Sequence, residues 1–480
     1  VHIISGTRIQ PENPIDFMGG FYNLQITDCE YGLVVDELYS KWGMLVTKSQ
    51  IEGRKVAIVN NDPYAYVRLT DVEVSGGISG NRILDSNIEV PTVSTHTPTY
   101  NKNHTRFFDA NKDFGVVADP MVDCSLYLQN VLNTASANGG GVVYLKAGFY
   151  RVTKPIRIPE NVELRGSMAV THRDNLGLSG GTVILSYYDD PASDPDIDLA
   201  LFTLEKDSGI SGLRIVYPKN NLKLSEDIYS IDPSPYSIRV QGNGAYVVHV
   251  GLVNSFRGIH VVNADNVVIK GMPCLFFNIG IQIDESANTH IENIFSNATI
   301  ATQSGYHSQY PTLFNDQGWS WRIANIWNYY TFTETHTRII ELNNAIGTNI
   351  MSVFTFCSSN VVTANDSDFT LIGSGADRMY RMGHVVRLND SSMVMINQLK
   401  YNCPMVRIQE STFSIFGRMD LRLSADYSEL DANVLNNEVM QDVTLRENTI
   451  YTPVVYSIDT LPQLDNDFVF DPVKVILKDG

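Results

Sequence analysis

The chain repeats itself every 20–23 residues or so, and this repeat constrains its fold more than any other feature. Segment 258–271 reads GIHVVNADNVVIKG, and segment 280–293, GIQIDESANTHIEN, matches it residue for residue in spacing. Segment 339–353 joins the same frame, and two later segments around Val386 and Val406 continue it. Each copy holds two short stretches of alternating apolar and polar residues separated by Asn, Asp, Ser or Gly, a pattern typical of strands joined by tight turns.

Coils of this length predict a right-handed parallel β-helix, an all-β solenoid. Coils stacked about 4.8 Å apart place equivalent residues in vertical columns and bury a continuous apolar core. A helical solenoid needs longer units with a period of about 3.6 residues, and a propeller needs about 40 residues per repeat. The repeat fits neither of these alternatives.

Interruptions of the repeat predict two solenoid segments. Residues 1–95 repeat more loosely and are expected to form the C-terminal part of a first β-helix. A polar stretch at 96–112 is expected to link it to a second, complete β-helix at 113–425. Residues 426–480 lose the period, and we expect them to form a C-terminal cap or strand extension.

The second segment opens with a recognisable motif. Residues 113–167 resemble the N-terminal entry of pectate-lyase-like β-helices, a superfamily that includes polysaccharide hydrolases, lyases and phage tailspikes. The resemblance implies a short helix, about 123–136, that covers the open end of the core, and it makes Asp119 and Asp123 cap residues rather than catalytic ones. The matching residues are Asp113, Phe114, Gly115, Asp119, Asp123, Gln129, Gly140, Gly141, Leu145, Gly148, Tyr150 and Gly166, and the departures are Ala118, Pro120 and Cys124.

A β-helix end followed by a freshly capped β-helix is similar to the tandem arrangement of glycoside hydrolase family 55 and its relatives. The resemblance covers most of the chain as architecture and implies action on β-1,3-glucans, but it rests on no catalytic motif of that family. Because Val1 begins in mid-solenoid, we expect an upstream polypeptide that completes the first β-helix.

The repeat frame also predicts which side chains face outward. In the first strand of each coil, residues such as Ile238 and Val240 point inward, so the residue between them points out. The resemblance implies that glycans bind along such a face; a plain solvated sheet face is the alternative. The outward residues are Arg239, His260, Gln282, Glu341, Thr363, Arg387 and Arg407, followed further along their strands by Gln241, Asp284 and Asn343.

A long insertion at 300–321, rich in aromatic and amide residues, interrupts one coil, and IANIWNY (323–329) is expected to resume it as a strand. Long insertions in a solenoid lie on one face, often the binding face, and aromatic rings stack on sugars. We therefore expect the insertion to bind substrate between Asp284 and Glu341; an aromatic mini-core is the alternative. The substrate-binding candidates are Arg239, His260, Gln282, Tyr306, His307, Trp319, Trp321 and Arg387, with Tyr329, Tyr330 and His336 nearby.

Hydrolysis of a glycosidic bond normally needs two carboxyl groups, one protonated and one ionised, about 5–10 Å apart. Neighbouring coils make that separation easy to reach. Glu341 and Asp284 are the leading catalytic candidates because both are expected to face outward beside the insertion; Asp316, Glu285 and Glu334 complete the set. The sequence thus favours a glycoside hydrolase that acts on an extracellular polysaccharide or oligosaccharide.

Two other functions stay open on the sequence alone. A polysaccharide lyase needs a basic proton acceptor, which Arg239, Arg387 or Arg407 would supply, and usually a metal that neutralises the uronate. A β-helix that only binds glycan, like a tailspike shaft or an adhesin, would carry the same outward face without turnover.

Charge and composition restrict the kinds of partner that we expect the protein to bind. The net charge of −18, from 53 acidic and 35 basic residues, argues against nucleic acid and anionic membranes as partners, and against long polyuronates unless calcium bridges them. No apolar run is long enough to span a membrane. The chain begins without a leader segment, so we expect a secreted protein from which the signal peptide has been removed.

No cofactor is expected, and no residue is assigned as a metal ligand. The acidic run at 189–198 is a weak calcium candidate, for which a solvated loop is the alternative. The five cysteines are scattered and lack CxxC spacing, so they predict small buried hydrophobes rather than a zinc site or a disulfide framework.

Overall fold

Parallel strands dominate the protein. The structure is a computed structural model, and short strands stacked side by side recur through both halves of the chain. It describes residues 1–4, 19–36, 44–63, 65–86, 89–95, 97–100, 104–167, 181–188, 200–220, 222–225, 228–297, 326–377, 379, 384–396, 406–409, 412–416 and 449–451.

The N-terminal strands form two parallel sheets that face each other. Met44 pairs with Val67, a step that matches the loose period of about 23 residues expected there. Leu33, Val46 and Ile58 are fully buried between the sheets. One sheet holds β1 (His2–Ile4), β4 (Tyr31–Asp36), β6 (Val56–Asn60) and β8 (Ile78–Gly80); the other holds β2 (Gly19–Tyr22), β3 (Gln25–Ile26), β5 (Met44–Glu52), β7 (Val67–Ser75) and β9 (Ile83–Ser86).

A second, longer stack of parallel strands begins at Phe107. Ile238 pairs with Ile259, and Ile259 pairs with Ile281, so the register predicted from the repeat is confirmed. The fold is the predicted right-handed parallel β-helix, with the handedness that parallel crossovers almost always take. The first strands of this stack are β10 (Phe107–Asp109), β11 (Gly141–Tyr144), β12 (Gly148–Val152), β13 (Ile156–Ile158), β14 (Val162–Arg165), β15 (Thr182–Ser186), β16 (Phe202–Leu204) and β17 (Gly209–Val216).

The stack continues to the C-terminal part of the chain. β18 (Lys223–Ser225) and β19 (Ile228–Ser230) form a separate antiparallel hairpin beside it. The later coils are built from β20 (Tyr236–Val240), β21 (Tyr246–Val262), β22 (Val268–Asp284), β23 (His290–Asn297), β24 (Arg338–Asn343), β25 (Thr348–Phe356), β26 (Asn360–Asn365), β27 (Asp368–Ile372), β28 (Gly375–Asp377), β29 (His384–Asn389), β30 (Ser392–Ile396), β31 (Val406–Gln409), β32 (Thr412–Phe416) and β33 (Thr449–Tyr451). β33 pairs with β32 as a strand extension within the expected C-terminal segment.

The core is a set of vertical apolar columns. One column holds Ile238, Ile259, Ile281 and Ile340, all fully buried. Each such side chain contributes about 1.5–3 kcal/mol relative to an exposed one, and the columns repeat this contribution from coil to coil. The apolar columns therefore hold the outward faces of the same strands in fixed positions.

Each coil bends at an equivalent residue with positive φ. Gly271, at φ 70°, needs glycine for a second reason, because a Cβ there would lie 2.5 Å from His249 Nδ1. His249 itself takes φ 54° one coil earlier, although this region is unfavourable for residues with a side chain. The other members of this column are Gly212, Asn293, Ser352 and Gly373.

Two helices cover the N-terminal end of the second stack. α1 (Ala110–Phe114) begins after Asp109, whose side chain accepts hydrogen bonds from two backbone N–H groups of the helix. α2 (Ser125–Ala137) lies where the motif predicted a cap and buries Leu128 and Val131. The stack starts earlier than residue 113, the boundary expected from sequence, because Phe107–Asp109 already pairs as an edge strand with β11.

The segment at 89–95, which follows the first sheets, packs against the second stack. Val90 is fully buried against Ile372 and Ile396 of the second stack. Its backbone O accepts from Lys48 Nζ at 2.6 Å, and its backbone N donates to Asp71 Oδ2 at 3.0 Å. Val90 therefore joins the two stacks.

The expected strand at 323–329 is wrong where the structure describes it. Residues 326–329 open α3 (Ile326–His336), and the strand position after β24 belongs to β25, since Ile291 pairs with Ile350. Tyr329 and Tyr330 are buried with Phe277 in a small apolar cluster, which stabilises a helix rather than another rung. Residues 298–325, which include the insertion, lie outside the described residues.

The cysteines behave mostly as small apolar residues. Cys124, Cys274 and Cys357 are buried and Cys29 is half-buried, and none of these four forms a disulfide bond. Burial raises the pKa of the Cys124 thiol to about 12. Cys403 lies outside the described residues. Among the helices that are described, none is both long and apolar enough to cross a membrane.

Candidate active site

The outward column predicted from the repeat exists as a continuous ladder of paired residues. Gln282 of β22 pairs with His260 of β21 on one side and with Glu341 of β24 on the other. The column is therefore continuous from Gln282 to Glu341, although the insertion lies between these two residues in the sequence. In order along the solenoid, the ladder runs through Arg239, His260, Gln282, Glu341, Thr363, Arg387 and Arg407.

A second ladder, two residues further along each strand, contains three successive asparagines. Asn389 Nδ2 donates to Asn365 Oδ1 at 2.6 Å, and Asn365 Nδ2 donates to Asn343 Oδ1 at 2.7 Å. Asn343 Nδ2 donates in turn to Asp284 Oδ1 at 2.7 Å. The amide chain thus runs from coil to coil in one direction and terminates on the Asp284 carboxylate.

Asp284 is the most heavily hydrogen-bonded carboxylate of this face. Its Oδ2 accepts from His260 Nε2 at 2.7 Å and from Gln282 Nε2 at 2.8 Å, and its side chain is 23% exposed. Burial alone would raise the pKa of Asp284. The hydrogen bonds from His260, Asn343 and Gln282, together with the charge of a protonated His260, outweigh burial and hold the pKa below its usual range. Asp284 is therefore ionised at neutral and mildly acidic pH.

Glu341 lies one coil further on, in a different electrostatic setting. Its side chain is 15% exposed, and its Oε1 accepts a hydrogen bond from Arg338 Nη1. Burial raises the pKa of Glu341, the Arg338 guanidinium lowers it, and the negative charge of Asp284 raises it further. The net direction is upward. Glu341 therefore holds its proton to higher pH than an ordinary glutamate.

The two carboxyl groups are diagonal neighbours across one rung. Asp284 pairs with Asn343, and Glu341 precedes Asn343 by two residues on the same face. The two side chains are close enough for the charge of Asp284 to act on the pKa of Glu341. A protonated and an ionised carboxyl group on neighbouring coils of one face meet the basic requirement for acid/base cleavage of a glycosidic bond.

Tyr236 completes the cluster, although the repeat pattern did not predict it. Its hydroxyl donates to Gln282 Oε1, and its ring stacks on His260 with 4.9 Å between ring centroids. The Arg257 guanidinium also lies over the Tyr236 ring, 5.4 Å from its centroid. Burial raises the pKa of Tyr236, so the phenol stays protonated and acts as a donor.

A signal for Tyr236 was present in the repeat. Tyr236, Arg257 and Arg338 each stand three residues before a member of the outward ladder, and pairing through Ile279 places them in one column. Outward residues were predicted only at positions between two inward apolar residues, and this column lies outside that pattern. Tyr236 and Arg338 nevertheless contact members of the outward ladder, Gln282 and Glu341.

The remaining candidates are dispersed. Glu285 is exposed at φ 50° in the turn that follows Asp284. Glu334 and His336 lie on α3. Arg387 is exposed, and its Nε donates to Asn389 Oδ1 at 3.4 Å. Tyr306, His307, Asp316, Trp319 and Trp321 lie outside the described residues.

Two neighbouring residues are placed differently from the expectation. Tyr329 and Tyr330 were expected near bound sugar, but both are buried, Tyr330 against Phe356 with 5.1 Å between ring centroids. They follow the mini-core alternative. Within the described ranges no group of three His, Cys, Asp or Glu side chains is arranged to hold a metal ion, and the acidic run at 189–198 falls outside those ranges.

No protein-family profile matches the chain, and no curated protein matches it in sequence. Solved β-helix structures resemble it at low similarity. DFA-IIIase from Arthrobacter chlorophenolicus A6 is 10% identical with a TM-score of 0.38, over 73% of this chain and 84% of that one. An exopolygalacturonase from Thermotoga maritima is 12% identical with a TM-score of 0.33, over 75% and 93%. A tailspike from an Acinetobacter phage is 10% identical with a TM-score of 0.35, over 79% and 68%. At this level of similarity none of them assigns an activity to the chain.

Proposed function

We propose that the protein is a carbohydrate-active enzyme, a glycoside hydrolase that cleaves a polysaccharide or oligosaccharide bound along the outward ladder. One observation carries the proposal: Asp284 and Glu341, on adjacent rungs of one face, have pKa values displaced in opposite directions. Paired titratable groups whose surroundings separate their pKa values are the usual arrangement of an acid and a base in catalysis. The proposal includes the extracellular location that the sequence favours.

The roles follow from the protonation states. Protonated Glu341 donates its proton to the glycosidic oxygen as the bond between that oxygen and the anomeric carbon breaks. Ionised Asp284 takes a proton from a water molecule whose oxygen forms the new bond to the anomeric carbon. In this scheme a water molecule, and not the carboxylate itself, attacks the anomeric carbon, so the proposal includes inversion at that carbon.

His260, Gln282 and Asn343 are positioning residues for the base. Their three hydrogen bonds hold the Asp284 carboxylate in one orientation and keep it ionised. Tyr236 supports the same arrangement through its contacts with Gln282 and His260. Such a second layer of hydrogen bonds is what keeps a catalytic group within the narrow range of productive geometry.

A polysaccharide lyase is the second candidate, favoured by the arginines of the ladder. Arg239, Arg387 and Arg407 repeat along the same column as Glu341, in a protein whose net charge is −18. Guanidinium groups bind carboxylates through paired hydrogen bonds, so this column suits an acidic glycan. Elimination would release an unsaturated uronate instead of consuming water.

The test is an assay of reducing-end release with the variants Glu341→Gln and Asp284→Asn. The substrates are a β-1,3-glucan, other neutral glucans and polygalacturonate. Each variant is expected to lose activity by about a hundredfold or more, the usual effect of removing a general acid or base. Asp366→Asn is the matched control, because this exposed turn carboxylate lies two coils from Asp284 and should leave the rate unchanged.

The same assay distinguishes the alternatives. Proton NMR of the first product shows whether the anomeric configuration is inverted. Absorbance of an unsaturated product with full activity of Glu341→Gln would replace the hydrolase by the lyase. Binding of a glycan without turnover by the unmutated protein would replace both by a non-catalytic glycan-binding β-helix.

A further inference from the structure

The Arg338 guanidinium, which contacts the proposed acid, has a second partner on the neighbouring coil. Its Nη1 donates to Glu341 Oε1, and its Nη2 donates to Asn278 Oδ1 at 3.0 Å. The Arg338 side chain is 40% exposed. A long side chain with this exposure has many rotamers, and it is fixed in one orientation when both ends of its planar guanidinium are held. Asn278 supplies the second of these two contacts.

Asn278 projects from a part of β22 that is fixed by the residues on both sides of it. Phe277 and Ile279 are both buried. The Phe277 ring contacts the rings of Tyr329 and Phe332 on α3, each with 6.1 Å between ring centroids. The backbone at Asn278 therefore has little freedom, and its amide is presented from one position.

The strand that carries Arg338 is fixed to the same part of β22. Ile279 pairs with Arg338. The residue before Arg338 is the buried Thr337, whose Oγ1 donates to the backbone O of Phe276 at 2.8 Å. The hydrogen bond between the side chains of Asn278 and Arg338 therefore joins two backbones that are already held in register.

The guanidinium determines which oxygen of Glu341 carries the proton. Arginine has five donors and no acceptor, so the oxygen that faces Arg338 has to accept. A protonated Glu341 therefore presents Oε1 to Arg338 as its carbonyl oxygen and carries its proton on Oε2. When that proton leaves, the negative charge that remains on Glu341 lies against the guanidinium, which stabilises it.

The position of Arg338 also affects how strong an acid Glu341 is. Burial raises the pKa of Glu341, the charge and the hydrogen bond of Arg338 lower it, and the charge of Asp284 raises it. A guanidinium that moved away would remove both lowering influences together, because they come from the same group. The acid would then hold its proton more tightly and release it less readily.

We propose that Asn278 is the positioning residue of the acid, because it holds the Arg338 guanidinium against Glu341 Oε1 and so directs the proton to Oε2. The proposal rests on the function proposed above for Glu341. It gives Asn278 the same part for the acid that the hydrogen-bonded neighbours of Asp284 have for the base. Asn278 acts through Arg338 and needs no contact with substrate.

The experiment is a double-mutant cycle that is read by the titration of Glu341 itself. Asn278→Ala, Arg338→Gln and their combination are prepared in the full chain, with carbon-13 at the glutamate carboxyl groups. The Glu341 signal is identified by its absence in Glu341→Gln. Asn278→Ala is expected to raise the pKa of Glu341 by about half a unit, less than Arg338→Gln does, because the loosened guanidinium stays nearby. In the Arg338→Gln protein the same substitution should cause no further rise, because Asn278 then has no guanidinium to hold.

Two further variants accompany the cycle. Asn130→Ala is the matched control, the same change at an exposed position of α2, and it should leave the titration of Glu341 unchanged. Asn278→Ser keeps an oxygen that can accept a hydrogen bond, so it should raise the pKa of Glu341 less than Asn278→Ala does. Circular dichroism and thermal unfolding check that each variant folds.

The kinetic effect should separate kcat from KM. On a substrate that the unmutated protein cleaves, Asn278→Ala is expected to lower kcat about twofold to fivefold and to leave KM unchanged, since only the transfer of the proton is affected. The alkaline limb of the pH profile of kcat should move upward with the pKa of Glu341. A purely structural role of Asn278 would lower stability without moving this limb.

The results distinguish this inference from the proposed function. A pKa of Glu341 that falls or stays unchanged in Asn278→Ala and Asn278→Ser, or that rises equally with and without Arg338, would overturn the role of Asn278. If Glu341→Gln is inactive at the same time, the proposed function stands without it. A fully active Glu341→Gln would refute the proposed function and the catalytic part of this inference, whereas the cycle would still show that Asn278 controls the ionisation of Glu341 through Arg338.

Discussion

Asp284 and Glu341 lie on the same outward face, yet their pKa values are displaced in opposite directions because different groups surround them. Asp284 receives donors on both of its oxygens, whereas Glu341 receives a single guanidinium and faces the charge of Asp284. Hydrogen bonds to the charged form lower a pKa, and burial with a like charge raises it. The pair therefore holds one proton and one negative charge across a mildly acidic range of pH.

This arrangement predicts a bell-shaped dependence of activity on pH. Activity falls as pH drops through the lowered pKa of Asp284, because the base becomes protonated, and falls again as pH rises through the raised pKa of Glu341, because the acid loses its proton. Arg338→Gln removes the cation that favours ionised Glu341, so the alkaline limb should move to higher pH by up to about one unit. The measurement is the pH profile of kcat, together with a carbon NMR titration of the Glu341 carboxyl.

The matched control for this prediction is Arg387→Gln. Arg387 belongs to the same ladder, but it is exposed and its Nε donates to Asn389. Its removal should leave the titration of Glu341 where it was. A fall in the pKa of Glu341 on removal of Arg338, or an equal shift in both variants, would contradict the assigned electrostatics.

At the scale of the strand, the asparagine ladder links Asp284 by hydrogen bonds to coils that lie beyond the carboxyl pair. Asn365 both donates to Asn343 and accepts from Asn389, so it is an interior link of the chain of amides. Its orientation, and that of Asn343, is fixed by neighbours on both sides. The ladder therefore positions Asp284 from two coils away while covering the ends of the strands.

Asn365→Ala is expected to destabilise the protein by about 1–3 kcal/mol, since it removes two half-buried hydrogen bonds and leaves their partners unsatisfied. The measurement is urea unfolding followed by circular dichroism at constant pH. Asp366→Asn, an exposed change at the next residue, should alter the unfolding free energy by less than about 0.5 kcal/mol. If Asn365→Ala is as stable as the unmutated protein, water replaces the hydrogen bonds of Asn365 without loss of stability, which contradicts this prediction.

At the scale of the molecule, the repeat accounts for most of what sequence reasoning could predict. Burial repeats with every coil, so Ile259, Ile281 and Ile340 leave a visible period, and the register of their neighbours follows from it. The cap at α2 was predicted from the motif at 113–167 and not from the repeat, and it covers the open end of the core. The expected division into two solenoids, and the catalytic roles within them, stay predictions.

What the repeat could not predict depends on contacts between columns. Nothing in the period shows that Tyr236 reaches Gln282, or that Asp284 gathers donors from three strands, because those contacts depend on side-chain length and on bends between strands. The strand predicted at 323–329 was wrong for a different reason. Its apolar residues match a strand in composition, but a helix buries Tyr329 and Tyr330 better once the rung is already occupied.

The junction of the two stacks offers the last prediction. Val90 is anchored to Lys48 and Asp71 through its backbone and buries its side chain against Ile372 and Ile396, so it couples the two parts during unfolding. Val90→Ala should lower the unfolding free energy by about 1–3 kcal/mol, through lost burial and the cavity left behind. Val117→Ala, the same change at an exposed site, should have almost no effect on urea unfolding. If both variants unfold at the same urea concentration, the contact of Val90 with the second stack contributes nothing to stability, and the stacks are held together by other residues.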